Sequence, residues 1–219
     1  MTAETFPTSF ASTLDLARLP WFEVRGGNRL VMTDDALAEV GSIIDMHTHL
    51  AMGFFRRLRV DLQAATPTTA YYLPVTLPVD LDAYSNTNLD RSAMFAMKAD
   101  VSVLGLTAQG MRTTHTAPNL LRDMDALGIE SSVVLPFDLP VGARNADHLL
   151  EVTRSHPRLV PFGSVHPFDR DAEERLDRQV AAGAHGIKLH PNGQFISPDH
   201  PRTVHLCGRC GQRGLPVLF

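Results

Sequence analysis

The chain has little cysteine, with only Cys207 and Cys210 among its 219 residues. Two thiols cannot build a disulfide framework, so stability must come from a packed core, and the usage fits a reducing compartment. It also lacks any apolar run of 18 residues, which leaves no candidate for a membrane-spanning helix. Lysine and arginine never cluster beyond a few residues and the net charge is −4, so no electrostatic footprint for nucleic acid exists. The opening Met-Thr-Ala-Glu-Thr-Phe-Pro has neither the basic nor the apolar region of a signal peptide, and a cytoplasmic location is the expectation. No glycine-rich loop follows the first apolar strand, which argues against a nucleotide-binding open sheet.

What is present reads as one soluble globular domain. The apolar share is 44% and the length allows a substantial core. Residues 1–40 are interrupted by Pro7, Pro20, Gly26 and Gly27, and 21–32 reads as a short irregular or hairpin-like arm. The first core strand runs from 42 to about 49. A long excursion then covers 51–116. Its first half, with Pro67, Pro74 and Pro78, is expected to be mainly loop. In its second half Met94, Met97, Val101, Leu104 and Ala108 recur at a three-to-four spacing, which predicts an amphipathic helix over about 90–109 with the methionines as packing.

From 117 the pattern becomes regular. A helix is predicted over 117–127, with Pro118 in its first turn and Gly128 as its stop, then a strand over 129–137. Further helices are expected at 145–155, 169–182 and 203–212, with strands at 159–166, 184–190 and from 215 onward. Asp169 is the expected cap of the second of these helices, Glu174 and Arg178 a surface pair on it, and Gly183 its end. Strand and helix alternating at this cadence mean a parallel sheet with crossover helices. Several strands end in polar residues that would converge on one rim, which favours a (β/α)8 barrel over a doubly wound sheet.

The chemistry-bearing residues lie at those strand ends. Ile44-Asp45-Met46-His47-Thr48-His49 closes the first strand, and its period of two puts Asp45, His47 and His49 on one face. The fourth strand ends Gly186-Ile187-Lys188-Leu189-His190-Pro191, with Lys188 and His190 sharing a face. A lysine turned into a barrel must be paired, deprotonated or modified, unless it snorkels to the rim. His190 before Pro191 is equally readable as a turn-former. The third strand repeats the ending as His166-Pro167, and His166 reads as structural rather than as a ligand.

These motifs, with the Leu215-Pro-Val-Leu-Phe219 strand, resemble the amidohydrolase superfamily, in particular its amidohydrolase-related branch of TIM-barrel metal-dependent hydrolases and decarboxylases. The resemblance covers about 41–219 apart from the excursion. It implies one or two divalent ions, usually zinc, at the carboxyl end of the barrel. His47 and His49 match the first two metal ligands, and Lys188 matches a strand-four position that bridges two metals as a carbamate in some subtypes and merely lines the site in others. Lys188 and His190 are the implied catalytic residues. A metal with an open position lowers the pKa of bound water to about 7, giving a nucleophile for an amide, ester or lactone carbon of a small-molecule substrate. In decarboxylating members the metal instead orients a carboxylated, often aromatic, substrate.

The family's further ligands, a histidine after the fifth strand, one on the sixth and an aspartate after the eighth, have no counterpart here. The expectation is therefore a single incomplete barrel domain over 1–219, with an arm at 1–40, an insertion at 51–116 and about five of eight strands. Such a chain is expected to hold zinc weakly, to be inactive alone, and to leave its outer strands as bare edges beside exposed apolar faces. Two other readings stay open, a non-catalytic remnant and a zinc module on Cys207 and Cys210 with His200 or His205. A homo-oligomer is also left open. Finally, the aromatic residues Phe54, Phe55, Tyr71, Tyr72 and Tyr84 of the excursion are expected to cover the substrate or a subunit contact.

Overall fold

The described residues before Gly41 form more regular structure than the prolines and glycines among them suggest. The protein was studied as a computed structural model, which describes residues 6–26, 28–53, 60–72, 75–82, 91–104, 107, 109–136, 138–140 and 142–219. Ser9–Phe10 (β1) is a short strand, a 3-10 turn covers Thr13–Arg18, and Phe22–Arg25 (β2) pairs antiparallel with Arg29–Met32 (β3) as the expected hairpin. A helix absent from the sequence reading follows, Asp34–Val40 (α1). Thr33 caps it by accepting the Ala36 N–H at 3.3 Å, Asp34 and Asp35 occupy its first turn, and Gly41 ends it at φ +75°. At seven residues it is too short to impose a helical period.

Ile43–Thr48 (β4) is the first strand of the main sheet. The excursion beyond it returns to the arm, where Val79–Asp80 (β5) pairs antiparallel with β1. Its helix, Arg91–Ser102 (α2), is shorter than the periodicity predicts, with Met94 and Met97 half-buried. Phe54, Phe55 and Tyr84 lie outside the described residues.

The second half follows the alternation closely. Ala117–Leu127 (α3) has Pro118 in its first turn and ends at Gly128, whose φ of +68° favours glycine and where a Cβ would strike Leu37. Then come Ile129–Val134 (β6), Asn145–Thr153 (α4), Leu159–Pro161 (β7), Ala172–Ala181 (α5), Ile187–Lys188 (β8), the four-residue helix Pro191–Gln194 (α6), Pro201–Gly211 (α7) and Val217–Leu218 (β9). Asp171, not Asp169, sits at the cap position of α5, because Asp169 is drawn into ion pairs with Arg144 and Arg175. The Glu174/Arg178 pair forms at 4.0 Å.

All five main strands are parallel. β4, β6 and β7 form one ladder and β8 and β9 another. A parallel bridge between Gly163 and Ile187 joins them, with Gly163 N–H donating to Gly186 O and Lys188 N–H to Gly163 O, both at 2.8 Å. The strand order thus follows chain order. One sheet face carries Val133, Leu135 and Phe162 with Val160 and Leu218 beside them. The other packs on the helices, through Met124, Val134 and Leu149 at one end and Leu176, Ile187, Leu189 and Leu206 at the other. The five strands do not close on themselves among the described residues.

A glycine is required where α5 meets the sheet. A Cβ on Gly163 would lie 2.3 Å from Gln179 Oε1 and 3.0 Å from Ile187 Cδ1. In the space left, Gln179 accepts the Ser164 N–H (2.9 Å) and donates to the Ser164 carbonyl (3.0 Å).

Candidate active site

β4 departs from strict alternation just before its histidines. Asp45 pairs with Ser132 and Thr48 with Val134, so three steps on β4 match two on β6. The cause is local: Asp45 Oδ1 accepts the His47 N–H at 2.9 Å, an Asx-type turn. The bulge interrupts the alternation, yet Asp45 still lines the same cavity as His47 and His49. The two histidines do converge, with Nε2 atoms 3.2 Å apart and rings edge to face.

The His49 ring is fixed by the neighbouring strand end. Its Nδ1 lies 2.6 Å from the Leu135 carbonyl oxygen, which can only accept, so Nδ1 carries the proton and Nε2 presents its lone pair. Burial pushes the His49 imidazole down to about 4, against the pull of that carbonyl, with His47, Lys188 and His190 adding to the lowering. His47 is more exposed; burial also lowers it, and so do Lys188 and His190, while Asp45 opposes them. In both, the neutral form of the imidazole is favoured.

Across the mouth, Lys188 is paired in register with Leu218 and so shares the face of the Val133–Leu135–Phe162 cluster. Its residue is 2% exposed, and burial alone pushes its amine below the ordinary lysine value. His190 caps α6 by accepting the Gly193 N–H at Nδ1 (2.9 Å), which leaves the proton of its neutral form on Nε2. It is both a turn-former and a neighbour of the histidine pair, since its charge and that of Lys188 are felt at His47 and His49. Among the described residues no group of three or more His, Cys, Asp or Glu side chains could hold a metal.

A cavity of about 570 Å³ runs from His47 and His49 past Tyr71, Tyr72 and His115 to Leu120, Met124 and Ile129. Asp123 on α3 moors that part of the excursion, accepting from Thr69 Oγ1 (2.7 Å) and Tyr71 OH (3.1 Å). Tyr72 is held through its hydroxyl by buried Asp100 (2.5 Å).

The other candidates have structural duties. His166 donates from Nε2 to Gln194 O (2.9 Å) and accepts the Phe168 N–H at Nδ1 (3.2 Å). His200 caps α7, and His205 pairs with Glu173 at 2.9 Å. Cys210 packs in the core and Cys207 against it, burial pushes both thiols up, Cys210 to about 11, and among the described residues they belong to no group of three or more possible ligands.

Sequence reasoning missed a buried polar network behind the mouth. Asp138, fully buried just after β6, accepts from the Asn145 N–H (2.6 Å) and Ala146 N–H (3.1 Å) at the start of α4 and from Arg175 Nη2 (2.7 Å). Burial nevertheless pushes its carboxyl up to about 6, outweighing those amides and Arg175. Ser164 and Gln194 complete the network. The one available signal was position: an aspartate directly after an apolar strand of a parallel sheet falls at the carboxyl-end rim.

Comparison with known proteins identifies a family. Residues 44–219 match the profile of the family described as Amidohydrolase. No curated protein matches the chain. A solved structure, a probable 2-pyrone-4,6-dicarboxylic acid hydrolase from Acinetobacter baumannii with citric acid bound, aligns with a TM-score of 0.42 at 14% identity, over 80% of this chain and 48% of that one. The chain thus spans about half the length of that protein.

Proposed function

This chain belongs to the amidohydrolase family, and on that premise we propose that it contributes to a metal-dependent hydrolase in which His47 and His49 are two ligands of a divalent cation, zinc by preference. The reading rests on one observation, the convergence of two imidazoles with Nε2 atoms 3.2 Å apart. Two ligands at Zn–N distances of 2.0–2.1 Å, set at the tetrahedral angle, stand about 3.3 Å apart. The His49 tautomer fits as well, because a proton held on Nδ1 by a main-chain carbonyl is the usual partner of a metal on Nε2.

When bound, such a cation supplies Lewis acidity, which polarises an acyl oxygen and acidifies water. The rest falls to the protein. Leu135 holds the His49 ring. Lys188, on the face of the Val133–Leu135–Phe162 cluster and with its charged form disfavoured by burial, lines the mouth and orients the substrate there. His190 Nε2–H donates to a substrate oxygen. Tyr71 and Tyr72, lining the cavity with the histidine pair, screen the substrate from water, the covering role expected of the excursion. The substrate is a small molecule with an amide, ester or lactone carbon. The five strands in chain order are in keeping with the first five of a barrel.

Co²⁺, a paramagnetic substitute for zinc, tests the reading even where two ligands bind weakly. Its addition to the 219-residue chain should broaden the ring resonances of His47 and His49 first among the ten histidines, and His49→Ala should abolish the selectivity. Uniform broadening of all ten would refute the site. A survey of amides, esters and lactones with the zinc-loaded protein, run beside aromatic carboxylic acids with carbon dioxide trapping, separates hydrolysis from decarboxylation.

A further inference from the structure

One side chain ties together the carboxyl ends of three neighbouring strands. Gln194, 1% exposed in α6, accepts the His190 N–H at Oε1 (2.7 Å) and donates from Nε2 to the Asp138 carbonyl (2.7 Å) and to Ser164 Oγ (3.3 Å). Its own carbonyl receives His166 Nε2–H. Asp138 follows β6, Ser164 and His166 follow β7, and His190 follows β8, so a single carboxamide spans three successive strand ends. Ser164 extends the grip: its Oγ accepts the Asp138 N–H (3.0 Å) and donates to the Lys188 carbonyl (3.1 Å). Lys188 is thereby held at its carbonyl and His190 at its amide.

A loop after a strand needs only water or one turn bond to satisfy its main chain. Here the bonds come from a buried carboxamide whose oxygen and nitrogen are both used, an arrangement that is costly to disturb and fixes direction. The two main-chain groups it controls flank Leu189, which is clamped in the helix-side core. Rotation of that segment would turn Lys188 and His190 away from the mouth, and these hydrogen bonds oppose it beside the ladder bonds from Lys188 N–H to Gly163 O and from Leu189 N–H to Leu218 O.

We infer that Gln194, acting with Ser164, is the positioning residue of the mouth: it holds the backbone from Lys188 to His190 so that both side chains face the His47/His49 pair, an inference that rests on the site reading above. Gln194 touches no reacting atom itself.

The sequence makes the test sharp, because Lys188 has only one companion lysine, the exposed Lys98 on α2. Trace acylation of the 219-residue chain, read by peptide mass spectrometry, gives the ratio of Lys188 to Lys98 labelling with Lys98 as internal standard. Gln194→Met, of similar size but without hydrogen bonds, should raise this ratio at least about threefold by local opening and speed exchange of the His190 amide. Gln194→Glu keeps an acceptor for the His190 N–H, so that amide stays protected. The ratio should still rise, because Ser164 turns its hydroxyl to the carboxylate and releases Lys188. If Gln194→Met fails to fold, the ratio in Gln194→Glu decides. A lowered unfolding midpoint with an unchanged ratio in the folded variant would mean that Gln194 only packs, and would overturn the inference. Co²⁺ broadening in the unmutated chain judges the cation separately: histidines that ignore Co²⁺ beside a raised ratio would remove the metal and leave Gln194 its role.

Discussion

On β4, His47 and His49 stand at an edge that no strand pairs among the described residues. Ile44 and Met46 beside them are 55% and 56% exposed, and one bond to Leu135 fixes the inner ring. On β8, Lys188 and His190 are flanked by strands on both sides and backed by Gln194, Ser164, Asp138 and Arg175. The contrast separates two ways of making a site: short local geometry that brings two rings together, and a long-range polar lattice that holds a main chain still.

The strongest way to break the lattice is Arg175→Met. It strips a buried aspartate of its cation, and removing one partner of such a pair costs about 3–5 kcal/mol. Urea unfolding should show the loss; one below about 1 kcal/mol would put the stability of this side elsewhere.

A smaller effect should appear with pH. Burial raises Asp138 to about 6 from an ordinary 3.8. The folded chain therefore binds this proton more tightly than the unfolded chain does. The stability contributed by the protonated group is complete below about pH 4 and is lost as pH rises through about 6. Asp138→Asn cannot ionise, so its unfolding midpoint should fall less across that interval than that of the parent chain, whatever its absolute value. Parallel curves would show that Asp138 does not titrate there.

The least effect is expected on the exposed side. Met46→Ser should change stability by no more than about 0.5 kcal/mol, because the side chain already meets solvent. A larger loss in the same urea experiment would mean that the β4 edge is covered in solution.

The second half of the chain was legible because its punctuation is local. Pro118 and Gly128 bound α3 where they were expected to, and the parallel order follows from the alternation alone. The convergence of His47 and His49 was likewise visible in a period of two, whereas the bulge that Asp45 makes by bonding the His47 amide was not. The polar lattice was not visible. Asp138, Ser164 and Gln194 are far apart in sequence and ordinary in type, and only the adjacency of three strands makes them partners. Asp169 shows the same limit, since its position reads as a helix cap until Arg144 and Arg175 are known to reach it.

The vacancy at Gly163, filled by the carboxamide of Gln179, works as a notch and key between two layers. Sliding α5 by one turn along the sheet would pull the key out and strand both main-chain groups of Ser164 away from water. The helix layer is thereby indexed to the strands at a single residue, and the far side of the domain is registered before any ligand reaches the mouth.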